Sequence, residues 1–263
     1  MPVIQAFAAD VLACLRFYTR LPIPVFAFEP APHDLKDFGR AIRATPLAGA
    51  IVGGIGAIVL LLGALVRLPA SVTAALALAA LVLTTGVFHE DGLADTADGL
   101  GGGATRVRKL EIMKDSRVGS YGAMALALSL LLRWATLTAI LEDGAGLAVA
   151  AIVAANATSR ATGLIPLALL NPARADGAAF AAAKPLPSSL AVAAILAFLF
   201  GLLPIAAGFA PGQMLLAMVA AVAAALAMTE IARRQIGGQT GDIAGAAQQL
   251  AEIAMLCVLS ARI

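Results

Sequence analysis

Seven stretches of this chain are apolar for long enough to cross a lipid bilayer, and nothing else in the sequence limits its possible folds so severely. A hydrocarbon core of about 30 Å takes about 20 helical residues, and in lipid every backbone polar group must find its partner inside the segment, which a helix achieves. The stretches fall at roughly 45–66, 70–88, 121–141, 146–170, 188–209, 212–231 and 243–261. The expected fold class is therefore all-α: a polytopic integral membrane helical bundle of about seven spanning helices. Of 263 residues 61% are apolar and 13% charged, with a mean hydropathy of +0.93, against about 45–50% and 25% in soluble domains. So few charges could not cover a soluble domain of this size. The composition also excludes a disordered chain and a disulfide scaffold. A net charge of +2 without a long basic run argues against nucleic acid as a partner.

Residues 2–18 read as an amphipathic helix, with Val3, Phe7, Val11 and Leu15 near helical spacing. It is too polar to span and is expected in the membrane interface, ended by Pro22 and Pro24. Asp10, Arg16 and Arg20 interrupt any secretory signal. Cys14 and Cys257 lie in apolar helical contexts and form no zinc pattern. One membrane-embedded catalytic domain is expected over 1–263, with 1–44 as its N-terminal cytoplasmic or interfacial segment. Basic residues set the orientation: fourteen Lys and Arg fall before span one or between spans two and three, four and five, and six and seven, against Arg67 and Arg262 on the other side. Positive charge inside places the N-terminus and those connections in the cytoplasm and the C-terminus outside.

The polar elements lie on that same side, in a segment over 89–120 and in a later turn. Asp91, Asp95 and Asp98 are spaced i, i+4, i+7 and project from one helical face. Three carboxylates there repel one another unless a cation joins them, and hard oxygen ligands suit Mg²⁺, with Mn²⁺ as the alternative. His89 either supports the cluster or caps the span; His33 is expected in a loop. Lys114 and Arg117 flank Asp115 and Ser116 ahead of Gly119 and Gly122, a basic pair beside a hydroxyl that can hold phosphate oxygens; a positive flank of span three is the plainer reading. Gly237 and Gly238 lead into Asp242, which shares a helical face with Gln249 and Glu252; Asp242 as a helix N-cap and the glycines as a turn are the plainer readings. Arg160, after Asn156 and Ser159, is expensive inside lipid and is expected at the site. Arg133, beside Trp134, is expected to pack its stem and snorkel.

With these residues in view, the chain resembles the adenosylcobinamide-GDP ribazoletransferase family, also called the cobalamin synthases. Four blocks carry the resemblance: Phe17–Pro24, His89–Gly99, Lys109–Gly122 and Gly237–Asp242. The two central blocks are specific; the outer two are weak alone. Glu90 stands where an apolar residue is more usual, which makes it a candidate for the metal shell. The resemblance implies a magnesium-dependent enzyme of the bacterial inner membrane that joins adenosylcobinamide-GDP to α-ribazole, or its 5′-phosphate, and releases GMP. It further implies Asp91, Asp95 and Asp98 on the metal, Lys114, Arg117, Ser116, Arg160, Gly237 and Gly238 toward phosphate, and Asp242, or a carboxylate of the main cluster not fully committed to metal, as the catalytic carboxylate that takes the hydroxyl proton. Self-association, or association with other cobalamin-assembly enzymes, is left open. Two other readings compete: a membrane phosphotransferase for CDP-alcohols, disfavoured by Asp95 following Ala94, and a secondary transporter, disfavoured by one-sided charge and the lack of an inverted repeat.

Overall fold

The computed structural model describes residues 3–29, 38–177 and 184–261; His33 and Arg262 lie outside the described residues. The structure is all helical apart from turns and a single two-residue bridge, among the described residues. Helix α1, Val3–Tyr18, is not a span. A short α2, Phe38–Ala41, runs through a 3-10 turn into α3, Thr45–Leu65. Then follow α4 (Ala70–Thr85), α5 (Phe88–Gly102), α6 (Arg106–Ile112), α7 (Ser120–Asp143), α8 (Ala145–Thr162) and α9 (Ile165–Leu169). The chain ends with α10 (Pro187–Gly201), α11 (Leu203–Ala207), α12 (Pro211–Ile236) and α13 (Gly241–Ser260).

Among the described residues six helical runs are long and apolar enough to cross a membrane: Phe38–Leu65, Ser120–Asp143, Ala145–Leu169, Pro187–Ala207, Pro211–Ile236 and Gly241–Ser260. The stretch expected at 70–88 is cut short. α4 has 16 residues and reaches span length only with α5, from which it is bent by 87°. We read α4 as the membrane limb and α5, with four carboxylates in 15 residues, as the limb that leaves it. The hinge is Gly86-Val87, both left-handed at φ 64° and 67°. Glycine adopts that conformation freely; a β-branched valine does not. The Phe17–Pro24 stretch buttresses the hinge. Arg20 donates its backbone N–H to Thr84 O at 2.8 Å, and its side chain lies where a Cβ on Gly86 would stand.

The α8–α9 run is the enclosed centre, mostly buried, whereas the α10–α11 run is mostly exposed. Small residues seat it. A Cβ on Gly53 would lie 2.9 Å from Ile152 O, and one on Gly56 2.8 Å from Ile152 Cδ1. Helices in lipid gain little from apolar burial alone, so such close backbone approach supplies much of their adhesion. Val52, Leu60, Leu78, Leu137, Ile152 and Met255 fill the core between α3, α4, α7, α8 and α13. A second cluster seats α1 on the bundle through Cys14, Leu15, Tyr18, Phe38 and Leu164. Beside it, Asp10 accepts from Arg43 at 2.6 Å and Arg40 at 3.1 Å.

The connections after α5, α9 and α12 meet at one end of the bundle. Pro172 bridges Gln239, with Ala173 N–H donating to Gln239 O at 2.8 Å and Gln239 N–H to Asn171 O at 2.9 Å. Arg106 ties both strands of this bridge to α6, donating to Ile236 O at 2.6 Å and Ala173 O at 2.9 Å. Lys109 reaches Gln235 from the same helix. Three connections separate in sequence thus become one platform.

Candidate active site

α5 crosses the start of α13 where both lack side chains. A Cβ on Gly92 would stand 3.0 Å from Asp242 O, and one on Gly245 3.4 Å from Gly92 Cα. This approach sets Asp242 beside the Asp91–Asp95 face. Asp91 is exposed and Asp95 half-buried. Burial first, then the charges of Asp91, Asp242 and Asp98, push the Asp95 carboxyl up to about 7, with Arg174 acting against them. Arg174 projects from the platform, its Nη2 3.3 Å from Asp242 Oδ2. Thr240 also donates to Asp242, at 3.1 Å. Thr240 is itself the N-cap of α13, accepting from Ile243 N–H at 3.3 Å, so the capping role read for Asp242 belongs to its neighbour and leaves the carboxylate facing the cluster.

Asp98 does something else. It is buried, and its Oδ2 accepts from Gly119 N–H at 2.7 Å while Oδ1 accepts from Gly122 N–H at 2.9 Å. Those are unpaired donors at the start of α7, and a carboxylate there also meets the positive end of the helix. Glu90, a candidate metal ligand from the sequence, is buried and engaged through Oε1, which accepts from Arg133 Nη2 at 3.0 Å and Gln249 Nε2 at 3.3 Å, while its Oε2 has no hydrogen-bond partner. Arg133 is no snorkelling residue: at 2% exposure it bridges Glu90 and Glu252, the latter at 3.6 Å. Gln249 and Glu252 share a helix with Asp242 but belong to this deeper network.

Among the described residues no group of three His, Cys, Asp or Glu side chains stands ready to hold one metal ion, so a closed cage of Asp91, Asp95, Asp98 and Glu90 is not present. The donor chemistry at Asp91, Asp95 and Asp242 still fits Mg²⁺, which keeps several waters and needs only one or two carboxylates plus substrate phosphates. The basic residues rim this face. Lys114 is paired with Asp176 across the platform. Arg117 is exposed and held by Asp115 at 2.6 Å, with Ser116 exposed between them. Gly237 ends α12 in the left-handed conformation at φ 69°, and Gly238 packs against Ala173, where a Cβ would meet its Cα at 2.9 Å; both build the platform.

Arg160 lies apart from the acidic cluster. It is buried in α8 and donates Nη1 to Asn156 Oδ1 at 2.8 Å and to Asn156 O at 3.0 Å. It lines a cavity of about 250 Å³ walled by Phe17, Tyr18, Phe38, Phe88 and His89. The rings form one assembly: Tyr18 stacks on His89 at 5.5 Å and 16°, and Phe88 meets Tyr18 edge-on at 5.7 Å. Sequence reading missed Arg174 and Asp176. Their signal was thin: one base and one acid in the turn-rich Asn171–Gly177 connection.

Carboxylates on two helices, an arginine on a third connection and a paired basic rim, all at one end of an apolar bundle, define the class: an integral-membrane enzyme that handles anionic substrates. The comparisons give the family. The chain belongs to the cobalamin-5-phosphate synthase family, whose model matches residues 10–260, and is a transferase of cobalamin biosynthesis. It is 51% identical over 250 residues to the adenosylcobinamide-GDP ribazoletransferase of Azorhizobium caulinodans, covering 94% of each chain. The protein of that name from Xanthobacter autotrophicus is 46% identical over 255 residues, covering 96% of each chain. The one from Mesorhizobium japonicum is 47% identical over 252 residues, covering 95% of this chain and 92% of that one. No solved structure matches. The family sets aside the CDP-alcohol and transporter readings.

Proposed function

We propose that the protein joins adenosylcobinamide-GDP to α-ribazole, or to its 5′-phosphate, at the Asp91–Asp95–Asp242 face. A ribose hydroxyl of the acceptor forms a bond to the phosphorus that carries cobinamide, the diphosphate P–O bond breaks, and GMP leaves with the electron pair. Such a transfer asks for placement and for charge neutralisation. Asp91 and Asp95 would hold Mg²⁺, which when bound offsets the charge on the diphosphate. Asp242, oriented by Thr240 and Arg174, takes the hydroxyl proton. Lys114 and Arg117 exchange their exposed partners Asp176 and Asp115 for phosphate oxygens, a cheap exchange because exposed ion pairs are worth about 0–1 kcal/mol. Ser116 and the backbone at Gly237 and Gly238 complete the phosphate rim. Asp98 acts by fixing the start of α7, and with it the loop that carries Lys114 and Arg117.

The platform's basic residues, Arg106, Arg108, Lys109, Lys114, Arg174, Arg233 and Arg234, favour a cytoplasmic site in the bacterial inner membrane. The observation that carries the reading is the close approach of Gly92 and Gly245, which adds a carboxylate from α13 to two on α5. Purified protein in detergent, given both substrates and Mg²⁺, should release GMP, and a chelator should stop it. Asp91→Asn and Asp95→Asn should lower turnover by about 10²–10³-fold while keeping the wild-type elution profile. Wild-type turnover in both variants would refute the assignment.

A further inference from the structure

We propose that the aromatic cavity beside the acidic face seats the base of the acceptor riboside, a neutral benzimidazole-type ring, with Arg160 as its hydrogen-bond donor. This rests on the function proposed above and names the part of the substrate that the acidic face does not bind. Size favours the smaller candidate. A cavity of about 250 Å³ lies just below the usual range of ligand pockets, about 300–1,000 Å³, the scale of a fused bicyclic ring rather than a corrin macrocycle. The walls suit a flat ring as well. Phe17, Tyr18, Phe38 and Phe88 offer faces and edges, which attract aromatic rings beyond the area they bury.

Two buried polar atoms point to a ligand and discriminate between bases. Arg160 is 4% exposed and its Nε–H has no partner; Gln239 is 4% exposed and its Oε1 has none. Both residues line the cavity. A buried polar group left unpaired costs about 1–3 kcal/mol, and a bound ligand removes that penalty. A benzimidazole riboside has one ring acceptor and no donor on its base, and the unpaired Arg160 Nε–H can meet that acceptor. Gln239 Oε1 then serves a ribose hydroxyl. The guanine of the other substrate presents several donors on its pairing edge, and among the described residues no Asp or Glu lines the cavity to meet them. An acyl chain would leave both polar atoms unpaired. The cavity also touches Gly241 and Gly245, on either side of Asp242 along α13, so a ring held there carries its ribose toward the acidic face.

Equilibrium dialysis of the full-length protein with α-ribazole, without Mg²⁺ and without the nucleotide substrate, tests this. Leu167→Trp fills the cavity, and Arg160→Lys keeps the charge while removing Nε–H. Each should weaken α-ribazole binding about tenfold. In turnover, each should raise the KM for α-ribazole by a similar factor and leave the KM for adenosylcobinamide-GDP within about twofold. A rise in the adenosylcobinamide-GDP KM instead, or unchanged α-ribazole binding in both variants, overturns the proposal. The dialysis needs no catalysis, so α-ribazole binding lost in these variants of a protein that turns nothing over would uphold the cavity and sink the reaction.

Discussion

Arg133 lies near the middle of a membrane helix with 2% of its surface exposed, and its charge is tolerable there only because Glu90 and Glu252 flank it. Gln248 extends the network, donating to Glu252 and to Ser159 Oγ, each at 2.8 Å. Glu90 and Glu252 face Arg133 and the nearby Arg160, so the buried charges balance. Removing one member leaves an uncompensated ion, which costs far more than the pair contributes. Arg133→Met should therefore destabilise the protein by about 3–5 kcal/mol, read as a lower unfolding midpoint in detergent. A loss below about 1 kcal/mol would mean that the charges are solvated. The sequence showed these residues as polar interruptions but could not say where their partners were. Arg133 reads as a snorkelling side chain because it adjoins Trp134 in the chain. Trp134 in fact turns to α4, donating to Ser71 O at 2.8 Å, while the arginine finds a carboxylate 43 residues away.

At the scale of elements, hydropathy reads the thickness of lipid rather than the length of a helix. It located α3, α7 and α13 closely and ended the sixth span at 231, although α12 continues to Ile236 because Arg233, Arg234 and Gln235 form helix outside the apolar layer. It ran the second span through Val87 for the opposite reason: Val87-Phe88 is apolar, while the break depends on two left-handed backbone angles. Helix pairing was not legible at all, since a glycine in an apolar run does not say which helix it faces. Gly53 and Gly54 are neighbours with opposite fates. A Cβ on Gly53 meets backbone of α8 at 2.9 Å, and one on Gly54 meets nothing within 4 Å. Gly53→Leu should force α3 from α8 and cost more than about 3 kcal/mol, seen as aggregation on size exclusion or a sharply lower melting temperature. Gly54→Leu should stay within about 0.5 kcal/mol of wild type. Equal effects would show that α3 does not pack on α8 through this face.

Across the whole molecule, much of the positive charge expected to orient the chain sits on the connections that fold into the platform, where Lys114 and Arg174 pair with Asp176 and Asp242. On the proposed function the same charges would then meet the substrate. That set was readable as an excess in the sequence; its convergence was not, because Arg106 holds Ile236 and Ala173 through contacts 130 and 67 residues apart. The opposite end carries the tight turn of Asp143, Gly144 and Ala145 between α7 and α8. If orientation follows the platform, Ala175→Cys and Glu142→Cys, each exposed and each made in a background with Cys14 and Cys257 changed to Ser, should report opposite sides. A membrane-impermeant maleimide should label Ala175→Cys in inverted inner-membrane vesicles and spare it in right-side-out spheroplasts. Glu142→Cys should show the reverse. Labelling of both from one side would break the two-ended bundle, and reversal of the pair would put the acidic face outside, away from a cytoplasmic supply of nucleotide-activated substrate.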